Sequence, residues 1–146
     1  MPVYTLEEIR KARDMATQLG LLGSGIFCLI TEEEAQAICN GIGAAWMPEI
    51  ARSLCDRRFE IMRIPAMIHD VQYEYGTGCT DDFKSANYNL YANGCIMAKH
   101  LYGWYNPLRY VVMNDARRLA NICDAFGMKA YKEAIAHRKR RQEGGK

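Results

Sequence analysis

Apolar residues recur at helical spacing through most of this chain, and polar or glycine positions cut the pattern into segments. Thr5 followed by Glu8 is a capping-box pattern ahead of Ile9, Ala12, Ala16 and Leu19, which share one face of a helix that Gly20 should end. Gly20 to Gly25 is a glycine-rich break that lacks the spacing and the lysine of a nucleotide loop, so it reads as a connector. Thr31 with Glu34 is a second capping box, opening a short helix that should stop at Asn40-Gly41, with a glycine-bearing loop after it. Pro65 suits a first helical turn, where its missing N–H is no loss, and the pattern predicts a helix carrying Ala66 to Tyr75, ended by Gly76 and Gly78. Thr80 is placed to cap the next helix, with Asp81 and Asp82 at its positive end and Phe83, Ala86, Leu90 and Met97 along its apolar side. These two helices should form an antiparallel hairpin. Pro107 opens another long helix, with Leu108, Val111, Val112, Leu119, Ile122 and Phe126 on its buried side and Gly127 as its stop. No β alternation of useful length and no repeat is visible, so the predicted fold class is all-α, with room for no more than a minor hairpin.

A length of 146 residues with 49% apolar content suits one domain, 1–146, with a proper core. The most apolar run, Leu19 to Ile30, is short and holds three glycines, well under the roughly 18 to 20 residues of a membrane span. The N-terminus lacks the basic and apolar regions of a secretory signal, which predicts a protein made in the cytoplasm whose export would need another route. Six cysteines (Cys28, Cys39, Cys55, Cys79, Cys95, Cys123) are evenly spread with no CxxC pair, which argues against a zinc site. They read as buried thiols in a reducing compartment, or as a disulfide framework in an exported protein. The net charge of +2 hides an asymmetry: Lys129 to Lys146 carries seven Lys or Arg against Glu133 and Glu143, hence +5, and the rest carries −3. This basic tail, 129–146, is a solvated helix end in the plainer reading; in the sharper one Arg138, Lys139, Arg140 and Arg141 hold an anionic membrane or a polyanion.

The stretch IPAMIHDVQYEYG, from Ile64 to Gly76, is the richest in chemistry. On a helix His69 and Tyr73 share a face while Asp70 points about a quarter-turn away, so one helix presents a base and a carboxylate in two directions. An ionised carboxylate between Ile68 and Val71 is costly to bury without a cation. The preceding loop, Asn40-Gly41-Ile42-Gly43-Ala44-Ala45, can turn backbone carbonyls inward, and a hard cation such as calcium takes carbonyls together with a carboxylate.

A loop of the form NGxG followed by a helix with HDxxY resembles the phospholipase A2 superfamily, in particular its short phage-encoded and bacterial members. The match falls on Asn40, Gly41 and Gly43, then on His69, Asp70 and Tyr73, within about Cys39 to Cys95. The resemblance implies that His69 is the general base activating water and that Asp70 binds calcium through its side chain. It also implies loop ligation by the carbonyls of Gly41, Gly43 and Ala45, with the Gly43 N–H as an oxyanion donor. Tyr73 would orient the site by a hydrogen bond. The reaction so implied is calcium-dependent hydrolysis of a glycerophospholipid ester at a membrane surface, and the phage resemblance implies association with the virion or release on lysis.

One position departs from the family. Its second helix carries an aspartate that orients the histidine, and in SANYNLYAN the matching residue is Asn87. Hairpin geometry selects the same residue, since with the turn near Gly78 a residue nine before it faces one about nine after. An asparagine can fix an imidazole's orientation but cannot stabilise an imidazolium as an anion does. Asp82, about 6 Å along the helix from the level of His69, is the second candidate for that role, and Asp115 the third. Trp46, Trp104 and Tyr105 are of the kind that would rim a site facing a bilayer. Two other functions stay open: a non-catalytic binding or inhibitor protein on the same scaffold, and a helical nucleic-acid binder using His137 to Arg141.

Overall fold

The computed structural model describes residues 3–39 and 59–144. Within them the chain forms seven helices and no strand. α1 (Leu6–Leu19) begins where the capping box puts it, with Thr5 Oγ1 accepting from the Glu8 N–H at 3.1 Å. It closes at Gly20, whose φ of 64° lets the Gly20 and Leu21 N–H groups return to the carbonyls of Thr17 and Ala16. The connector after it is partly helical, because α2 (Gly25–Leu29) forms one short turn and buries Phe27. Its path is held by Asn93, whose amide bonds both the N–H and the carbonyl of Leu22, at 2.7 and 2.9 Å. α3 (Glu32–Cys39) is opened by Thr31, which accepts from the Glu34 N–H at 3.0 Å.

α4 (Phe59–Glu74) corrects the reading of Pro65. The proline lies inside the helix rather than in its first turn. It removes the N–H that would bond the Ile61 carbonyl, a local cost that burial of Pro65, Met62, Met67 and Ile68 offsets. α5 (Thr80–Leu101) is capped by Cys79 rather than Thr80, its Sγ accepting from the Asp82 N–H at 3.4 Å. α6 (Pro107–Phe126) opens as expected, with Asn106 Oδ1 accepting from the Leu108 N–H at 3.0 Å. Its buried stripe is Val112, Ala116, Leu119, Ala120 and Cys123, whereas Leu108, Val111 and Phe126 are exposed, contrary to expectation. Close approach decides this. A Cβ on Gly94 of α5 would stand 2.6 Å from that of Ala116, so the small residues set which face of α6 turns inward. Gly127 breaks the helix for a single residue before α7 (Met128–Gly144), so the described part of the basic tail, 129–144, is helical and docked rather than frayed.

α4 is the central element. It packs against α2, α3, α5 and α7, while α6 packs along α5 and reaches α4 at Met62. Three apolar clusters follow. One joins α1, α2 and α3 to Met67, Ile68 and Val71; one joins Met62, Leu90, Ala116, Leu119 and Cys123; and one joins Tyr73, Phe83, Ala86, Tyr131 and Ile135. Cys39, Cys95 and Cys123 are buried, Cys28 is half-buried and Cys79 is exposed; Cys55 lies outside the described residues. No described helix is long and apolar enough to cross a membrane.

Candidate active site

α4 and α5 form the expected antiparallel pair, and their register brings His69 to Asn87. The His69 Nε2 lies 2.8 Å from Asn87 Oδ1, and the Tyr73 hydroxyl donates to the same oxygen at 2.7 Å. His69 and Tyr73, one helical turn apart, also pack ring against ring, tilted by 47° with centroids 4.1 Å apart. Tyr73 is held in turn by Phe83 and Tyr131, so an aromatic cluster backs the polar contact. Asn87 is wholly buried. An oxygen presented to the ring requires the proton on Nε2, which leaves the lone pair on Nδ1.

The far side of the Asn87 amide meets a residue that the sequence reading missed. Asn87 Nδ2 donates to Asp124 Oδ1 at 2.8 Å, and Asp124 sits exposed near the C-terminus of α6. A carboxylate in the last turn of a helix opposes the helix dipole, and that unfavourable placement was the available signal. Of the other acids considered for orienting His69, Asp82 is spent on Thr77, accepting from its N–H at 3.2 Å and its hydroxyl at 2.6 Å. Asp115 lies nine residues before Asp124 on the same helix, about 13 Å away along the axis.

Burial pushes the His69 imidazole down to about 4, against its hydrogen bond to the Asn87 oxygen and the charge of Asp124, which act the other way. His69 is therefore neutral at neutral pH, and with the proton on Nε2 its lone pair lies on Nδ1. Asp70 makes no hydrogen bond to this network among the described residues; its charge is felt by Tyr4, Cys39 and Tyr73, and burial followed by the charge of Glu74 pushes it up to about 8. No described cation pairs with it. Among the described residues no three His, Cys, Asp or Glu side chains cluster as a metal site. Gly41, Gly43, Ala45 and Trp46 lie outside the described residues.

The basic residues divide into two kinds. Arg138 Nε donates to the Glu74 carbonyl at 2.6 Å and its guanidinium lies over the Tyr75 ring. Arg141 bridges Glu74 at 2.5 Å and Glu34 at 3.0 Å, and His137 Nδ1 lies 2.7 Å from Glu74. Glu74 is buried, so these contacts fasten α7 to α4 and α3. Lys139 and Arg140 are exposed. Trp104 and Tyr105 are both about three-quarters exposed, at 75% and 76%, but they sit beyond the far end of α5. Fourteen residues separate Asn87 from Leu101, about 21 Å of helix, so these rings do not rim the His69 network.

No protein-family model, no curated protein and no solved structure matches this chain.

Proposed function

We propose that this chain is a calcium-dependent hydrolase of glycerophospholipid esters, acting at the sn-2 position in the manner of a phospholipase A2, with a phospholipid surface as its substrate. The observation that carries the reading is the pairing of His69 with Asn87 and Tyr73, which puts the free lone pair of the neutral ring on Nδ1, one residue from a carboxyl group that has no cation beside it among the described residues. His69 Nδ1 would take a proton from water as that water attacks the ester carbonyl. Asn87 and Tyr73 keep the ring from turning, so the lone pair stays aimed at one place.

Asp70 fits a calcium ligand because it is a hard oxygen donor in surroundings that disfavour its charge. The carbonyls of Gly41, Gly43 and Ala45 would complete the set. When bound, the ion supplies positive charge that polarises the ester carbonyl and stabilises the oxyanion. A second reading, a non-catalytic protein on the same scaffold, is favoured by two observations: an amide rather than a carboxylate faces His69, and the imidazole is held near 4.

The metal half of the proposal is tested by thermal denaturation with added calcium. Binding to the folded state alone raises stability, by about 2.7 kcal/mol when the ion is at a hundred times its Kd. Millimolar calcium should raise the Tm of the parent and leave that of Asp70→Asn unchanged. No rise in the parent, or an equal rise in Asp70→Asn, would remove calcium from the reading.

A further inference from the structure

We infer that Asp124 on α6 is a positioning residue that acts through the Asn87 amide to decide which nitrogen of His69 carries the proton. The inference rests on His69 as the proposed base, but the arrangement is independent of the substrate. An asparagine facing an imidazole and a tyrosine is ambiguous by itself. With its oxygen toward the ring, Asn87 accepts from Nε2–H and from the Tyr73 hydroxyl. Turned over, its NH2 would donate to Nε2 and to the tyrosine oxygen, which would place the imidazole proton on Nδ1 and abolish the base. Both pairs of hydrogen bonds are internally satisfied, because a hydroxyl and a neutral imidazole can each donate or accept.

Asp124 breaks that symmetry. A carboxylate only accepts, and its Oδ1 lies 2.8 Å from Asn87 Nδ2. Turning the amide over would set two oxygens against each other at that distance. The direction of all three bonds is therefore dictated from the surface by one acid on a third helix. The task that a single buried aspartate would perform is split here. Asn87 makes the buried contact, and Asp124 supplies the charge while remaining exposed to water. That charge also acts on His69 in the direction that favours the imidazolium. The geometry further explains why a lone aspartate at position 87 would not be a simple gain: it would stand against Asp124, and two carboxylates at such a distance share a proton.

The test reads the tautomer of His69 by 15N NMR of its ring nitrogens at pH 7 in the full-length protein, with no substrate present. The parent should show the proton on Nε2 alone. Hydrogen bonds to a charged group bias an equilibrium by about tenfold to a hundredfold, so Asp124→Ala should bring the Nδ1–H tautomer to a measurable fraction. Asp124→Asn, the same shape without the charge, should do so to a lesser extent. The exchanged pair, Asn87→Asp with Asp124→Asn, should return the proton to Nε2, since an acceptor-only group then faces the ring. A single Nε2–H tautomer in both Asp124 variants, or mixed tautomers in the exchanged pair, would overturn the inference. Circular dichroism of each variant checks that the fold is kept, and Asp124→Asn carries the test if Asp124→Ala does not fold. Because no lipid is involved, absence of hydrolysis would leave this result standing on its own.

Discussion

At His69 and Asp70, neighbours on one helix, burial moves two titrating groups in opposite directions, and the consequences for stability have opposite signs. His69 in the folded protein is held near 4, below its ordinary 6.5, so the unfolded chain binds the extra proton and stability is lost as pH falls from about 6.5 toward 4. Asp70 is held near 8, above its ordinary 3.8, so the folded chain binds the extra proton and stability is lost as pH rises toward 8. Between about 4 and 6.5 the two slopes oppose each other. Above 6.5 Asp70 acts alone. The metal-free protein should therefore lose stability between pH 6.5 and 8, by at most about 1.4 kcal/mol per unit, and by less where the half-buried carboxyl keeps access to solvent. Calcium should cancel the loss, and its affinity should rise up to about tenfold per unit as Asp70 gives up its proton. Denaturant titrations at pH 6.5 and 8, with and without calcium, measure this directly. Metal-free stability that is flat or rising over the interval would mean that Asp70 is not protonated in the fold.

At the scale of helices, what the sequence revealed and what it hid follow from how local each signal is. The pairing of His69 with Asn87 was legible because two helices joined by a tight glycine turn have one register, and counting from Gly78 selects the partner. The caps at Thr5 and Thr31 were legible because each is set within three residues. Asp124 was not, since it reaches the network only through the packing of α6 on α5, which Gly94 and Ala116 decide by their size rather than their hydrophobicity. Pro65 misled because packing around it outweighs one missing hydrogen bond. The basic run misled too, because charge alone does not say that Arg138 and Arg141 have a buried partner in Glu74. That clamp carries a prediction. Arg141→Ala leaves the buried Glu74 with His137 as its remaining side-chain partner, and removing one member of such a pair costs about 3 kcal/mol. Chemical denaturation of the variant should show that loss. A change under about 0.5 kcal/mol would mean the pair is exposed in solution.

Across the whole molecule, the polar network lies where α4, α5 and α6 meet, and α7 ties the C-terminal segment back onto α4 beside it. Truncating the basic tail would release Glu74 as well as remove charge, so exposed Lys139 and Arg140 are the positions at which surface attraction can be altered without loosening the fold. The central claim is chemical, and it is tested most directly by fatty-acid release from vesicles of mixed neutral and anionic phospholipid. The full-length protein and His69→Ala are assayed side by side, with calcium and with a chelator in excess. The account predicts release by the parent that requires calcium, and a fall of at least about a hundredfold in His69→Ala, the size expected for losing a general base. Equal release by the two proteins, or release that the chelator leaves unchanged, would contradict it.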